Sequence, residues 1–74
     1  MSIDEAIRQM LDVIGAVCAD AEVKVAKISD EEARLSVYAK AEKMQVIKDA
    51  AFTPAMDLLN IDGMDVQVFV YEKV

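Results

Sequence analysis

The sequence predicts an α+β fold: a two-layer α/β sandwich in the order αββα(α)β, with a three-stranded, mainly antiparallel sheet and the helices on one face. Three observations predict it. Apolar spacing switches along the chain from three- and four-residue steps to strict alternation, then back again. Val and Ile together number sixteen against four Leu, a mix that favours strands over an all-helical bundle. The 74 residues hold no repeat, low-complexity tract or Pro/Gly/Ser-rich linker, so residues 1–74 read as one domain.

The first helix is predicted over residues 3–19. Ser2 followed by Glu5 is a capping box: the hydroxyl accepts from the third helical amide while the carboxylate reaches back. Asp4 and Glu5 also stand where the helix dipole favours negative charge. Behind them Ile3, Ile7, Met10, Leu11, Ile14, Val17 and Cys18 make one apolar stripe. Gly15 costs this helix up to ~1 kcal/mol relative to Ala, and close approach of another element is the expected compensation.

From Ala21 the period becomes two. Ala21, Val23 and Val25 alternate with Glu22, Lys24 and Ala26; after the polar run Ser29–Glu32, Ala33, Leu35, Val37 and Ala39 alternate with Arg34, Ser36, Tyr38 and Lys40. Two such strands joined by four polar residues make an antiparallel hairpin. Ile28 falls out of phase, which predicts a bulge or kink at the strand end. Residues 41–60 return to helical spacing, with Met44, Ile47, Ala51, Ala55 and Leu58 on one face. Pro54 would remove a hydrogen bond from a helix interior, whereas Thr53 is a good N-cap and Pro54 a good first helical residue. The segment therefore reads as two helices broken at Phe52–Thr53 or as one kinked helix, with the break favoured. Asn60 is a suitable helix terminator and Asp62–Gly63 a turn signal. Met64 to Tyr71 alternates once more, and Met10, Met44, Met56 and Met64 fall at core-facing periods.

Val23, Val25, Leu35, Val37, Val66, Val68 and Val70 are then expected to face the helices. This element order is similar to that of type II KH domains and of iron–sulfur scaffold domains of the same two-layer architecture. The working motif of neither is present. Where type II KH domains carry Gly-x-x-Gly the chain reads Ala51-Phe52-Thr53-Pro54, and where the scaffolds carry Cys-x-x-Cys it reads Ala41-Glu42-Lys43-Met44. No functional residue transfers from either family.

Composition narrows the function by exclusion. Without histidine and with Cys18 as the one cysteine, the chain cannot build an internal disulfide framework, a Cys/His zinc site or a His-based triad. The net charge of -6 works against a general phosphate-binding role. The opening MSIDEAIRQM is charged and periodic, unlike a secretory signal. The longest apolar stretch, Val13–Ala19, is far short of a membrane span. A reducing, cytoplasmic setting without membrane attachment is expected. Asp30, Glu31 and Glu32 lack the ligand spacing of a calcium loop, and Cys18, near a helix C-terminus on the apolar stripe, reads as an inert buried thiol. No cofactor, metal site or catalytic residue is expected, and the chain reads as a non-enzyme.

The candidate site is the open face of the sheet, displaying Lys24, Ala26, Arg34, Ser36, Tyr38, Lys40, Gln67, Phe69 and Tyr71, with Ile28 at its margin. Three of the four aromatic residues fall there, where a face that met only water would alternate to polar residues. The expected function is a small protein-interaction module, self-associating as a homodimer or binding a protein partner. Tyr38, Phe69 and Tyr71 would anchor it and Arg34 and Lys40 would steer. Cross-strand ring pairing accounts for the same residues structurally. Two alternatives remain: single-stranded nucleic acid stacking on those rings, and an acidic inhibitor imitating nucleic acid through Asp12, Asp20, Glu22, Asp30, Glu31 and Glu32.

Overall fold

A computed structural model describes all of residues 1–74. Helix α1 (Ile3–Val17) leads into a hairpin of β1 (Glu22–Lys27) and β2 (Glu32–Ala39), followed by helix α2 (Ala41–Asp62) and strand β3 (Asp65–Glu72). Strand β2 is central, antiparallel to β1 and parallel to β3. The parallel pair follows from chain length: the α2 crossover carries the chain back to the same end of the sheet, which a tight turn cannot do. The α+β class and the order αββαβ are as the periodicity predicts.

The Ser2 N-cap forms, and the Glu5 carboxylate reaches back to the Ser2 hydroxyl, not to its backbone N–H. The Ser2 hydroxyl accepts from the Glu5 N–H at 3.1 Å and donates to Glu5 Oε1 at 3.2 Å. Ile3, Ala6, Ile7, Met10, Ile14 and Cys18 are buried, with Leu11 and Val17 packed at the margin. Gly15 departs from expectation. It is exposed, and a Cβ built on it would meet nothing within 4 Å, so no element approaches it.

Helix α2 overturns the predicted break. It runs unbroken through Phe52, Thr53 and Pro54. Pro54 forfeits the amide that would bond to Ala50 O, but burial of Ile47 and Ala51 on one side of it and Leu58 on the other anchors both halves. Asn60 is helical and does not end the helix. Gly63 does, in the left-handed region at φ 69°, with its N–H on Leu59 O and the Met64 N–H on Leu58 O. The hairpin end behaves as its phase predicts: the Ile28 and Ser29 amides both converge on Glu32 O at 3.0 Å.

The core is a cluster of 14 buried residues, with Leu35, Val37, Ile47 and Leu58 among its largest side chains. Helix α2 packs on β3 and α1, so the helical layer sits toward β2 and β3. That offset produces two corrections. Val25 lies on the helix-facing side of β1 but beyond the helices' cover, and is exposed. Met56 lies on the outer flank of α2 and is 41% exposed, not core. No helix is long and apolar enough to cross a membrane.

Candidate functional site

The sheet face opposite the helices is covered by no element of the chain, and its register decides which side chains meet. Glu22, Tyr38 and Tyr71 form one cross-strand row; Lys24, Ser36 and Phe69 the next; Ala26, Arg34 and Gln67 the third; Glu32 and Asp65 the last. Strand alternation thus places Tyr38, Phe69, Tyr71 and Arg34 on one surface, because all four share the parity that points away from the helices.

The rings are organised. Tyr38 and Tyr71 stack with centroids 5.4 Å apart and planes 25° from parallel, within the range where aromatic pairs contribute about 0.5–1.5 kcal/mol beyond burial. Lys24 Nζ lies 5.5 Å from the Tyr38 ring centre and the Arg34 guanidinium 5.4 Å from that of Phe69. At exposed sites such cation–π contacts contribute about 0.5–1 kcal/mol. Phe69 and Tyr71 remain 42% and 46% exposed, while Tyr38, on the central strand, is half-buried. The parallel β2–β3 pairing makes this possible, since it sets Tyr71 directly beside Tyr38 and Phe69 beside Ser36.

At the far end of the face, the Gln67 amide donates to Glu32 Oε2 at 2.8 Å and to Asp65 Oδ2 at 3.2 Å. One neutral donor thus holds two carboxylates on adjacent strands. The face carries three acids (Glu22, Glu32, Asp65) and three bases (Lys24, Arg34 and Lys73, which follows β3 and lies 3.7 Å from Glu22), so its charges balance. No group of three or more His, Cys, Asp or Glu is placed where it could hold a metal ion.

Lys40 is not part of this surface. β2 ends at Ala39, and Lys40 is the N-cap of α2 with no capping side-chain bond. It lines a separate cleft of about 250 Å³ with Cys18, Asp20, Lys43 and Lys73. The acidic residues are likewise divided. Asp20 and Glu22 precede β1 or open it, whereas Asp30, Glu31 and Glu32 lie beyond its far end. The six residues of β1, at ~3.3 Å each, set the two groups about 20 Å apart.

A second surface was not anticipated. Along the outer flank of α2, Phe52, Met56 and Leu59 recur at four- and three-residue steps and are exposed. Phe52, Ala55 and Met56 line an apolar groove of about 250 Å³ whose floor is Val68 and Val70. The i, i+4, i+7 spacing was visible in the sequence, but a break at Thr53 dissolves it, and both valines read as core.

No protein-family model, curated protein or solved structure matches the chain.

Proposed function

We propose that this chain is a small non-catalytic interaction module that binds a protein partner through the open face of its sheet. One observation carries the reading: Tyr38, Tyr71 and Phe69 are gathered, with Lys24 and Arg34 over two of the rings, on a face that nothing else in the chain covers. Partly exposed aromatic and Arg side chains at the centre of a patch are the residue types that dominate interface energetics. The carboxylates at its ends form a polar rim.

Single-stranded nucleic acid on the same rings is the second reading, favoured by the two cations beside the aromatic faces. The chain's −6 weighs against it, as does the helical conformation of Ala51–Pro54, where type II KH domains carry Gly-x-x-Gly. It requires salt-sensitive binding of a single-stranded oligonucleotide.

The test is site-specific photo-crosslinking from Ala26, on the face, compared with Val46, on the exposed side of α2. A protein captured only from Ala26 is then titrated against Phe69→Ala and Tyr71→Ala. Each variant should weaken binding about tenfold or more with little change in melting temperature. Equal losses of stability with unchanged affinity return the rings to a purely structural role, and an oligonucleotide titration that responds to salt transfers the face to nucleic acid.

A further inference from the structure

We propose that the free edge of β3 and the outer flank of α2 form the interface of a symmetric dimer. A second copy of this chain pairs its β3 antiparallel to the first about a two-fold axis through Phe69, perpendicular to the sheet. This surface is distinct from the open face.

The backbone supplies the first argument. The Asp65 N–H bonds to Glu31 O at 2.8 Å and the Lys73 N–H to Ala39 O at 2.7 Å, so the odd-numbered residues of β3 turn their amides and carbonyls toward β2. By alternation, those of Val66, Val68, Val70 and Glu72 point to the unpaired edge. The chain treats its two edges differently. β1 is six residues long and carries Lys24 and Lys27, the short and charged pattern that discourages strand addition. β3 is eight residues long, DVQVFVYE, with no basic residue, proline or bulge.

The apolar flank supplies the second. Val68 and Val70, the floor of the α2 groove, bracket Phe69. An axis through Phe69 sets Val68 opposite Val70 of the second copy, and brings Phe52 and Met56 of the two α2 helices together above them. Lys48 is the one charged residue lining that groove. The same register places Asp65 opposite Lys73 of the second copy at both ends, a complementary pair. Shifting the axis by one residue to Val68 sets Asp65 against Tyr71 instead. Lys73 donates to the Asp20 backbone carbonyl at 2.9 Å and pairs with Glu22 at 3.7 Å, and its third N–H is the one left for Asp65 of the second copy.

Size is adequate. An eight-residue strand at ~3.3 Å per residue is about 26 Å long, and the molecule's two shorter extents are 20 and 15 Å. The flank projects to at most about 400–500 Å² per copy, roughly 800–1,000 Å² in total, the size class of a weak dimer that forms with concentration. The four outward-facing residues of each copy exchange paired bonds across the axis.

Light scattering on a sizing column over a hundredfold concentration range, with residue-resolved amide exchange at both ends of that range, tests the proposal. The expected result is a dimer mass, with protection of the Val66, Val68, Val70 and Glu72 amides that rises with concentration. Phe52→Glu, at a position 67% exposed and so harmless to the fold, should weaken the dimer at least about thirtyfold. Its circular dichroism should match that of the parent. Tyr38→Ala, a strand away from the axis, leaves the dimer mass unchanged, which separates failure here from failure of the open-face reading. A monomer at every concentration overturns the proposal. So does a dimer whose alternate β3 amides stay unprotected, or one that survives Phe52→Glu.

Discussion

Replacing Pro54 with alanine should stabilise this protein by about 2 kcal/mol, a large change for a chain of 74 residues. Pro54 lies inside the unbroken helix Ala41–Asp62. A proline there costs about 3 kcal/mol relative to Ala, through the missing amide and the clash with the Ala50 carbonyl. Against this gain stands lost packing. Pro54 is half-buried, and trimming two ring methylenes from a half-buried site gives up about 0.4 kcal/mol each. The difference is about 2 kcal/mol, which in a domain of this size raises the melting temperature by roughly 8–16 °C. Thermal and urea denaturation of the two proteins measure it, with far-UV circular dichroism checking helix content. That gain requires that the core does not depend on a bend at Pro54, the two halves of α2 being anchored by Ile47, Ala51 and Leu58, which are buried to either side. A variant no more stable than the parent would refute that, and would mean that a bend at Pro54 is what seats Leu58 in the core.

The two glycines should respond in opposite directions. Gly15 is helical with open space where a Cβ would go, so Gly15→Ala should stabilise by about 0.5–1 kcal/mol; Gly63 holds φ 69° at the end of α2, so Gly63→Ala should destabilise by ~1 kcal/mol. Urea midpoints measure both, and a loss at Gly15 or a gain at Gly63 contradicts the assigned geometry. Leu35→Ala removes a fully buried side chain from the central strand and should cost about 2–5 kcal/mol. Against a total of roughly 4–11 kcal/mol for this length, the urea midpoint should fall by about a fifth or more; a loss under ~1 kcal/mol would mean that Leu35 is not a centre of the core.

The legible parts of the fold are those set by local chemistry. Ser2, Glu5 and the stripe from Ile3 to Cys18 lie within one helix, so cap and buried face could be read together and both form. Strand parity was equally readable, and it placed Tyr38, Phe69, Tyr71 and Arg34 on one face. What escaped depends on tertiary packing. Thr53–Pro54 has the chemistry of a helix start, but buried residues on both sides override it. Asn60 and Gly63 both read as stops; the hydrogen bonds back to Leu58 and Leu59 select Gly63. Val25 has a core residue's phase, yet its exposure follows from the helical layer lying over β2 and β3, an offset that periodicity does not encode. Lys40 kept the parity of the face, but the chain turns into α2 at that residue.

Where a second copy would dock decides what the aromatic face is for. Docking two open faces against each other would bury Tyr38, Phe69 and Tyr71 and leave no binding surface beyond the dimer. Pairing at β3 uses different atoms: the outward amides and carbonyls of Val66, Val68 and Val70 lie in the plane of the sheet, while the rings project from it. Both contacts can therefore exist at once. In the edge-paired arrangement the rings of two copies join into one strip, Tyr38, Tyr71 and Phe69 followed by Phe69, Tyr71 and Tyr38, on a six-stranded sheet. A partner with two matching segments would then meet the second site as an intramolecular step, gaining avidity from geometry without a new contact. The helical layer's position over β2 and β3 leaves β1 with a charged, short edge and β3 with an open apolar one. The same offset that exposes Val25 thus places Phe52 and Met56 beside the edge where a second copy would cover them.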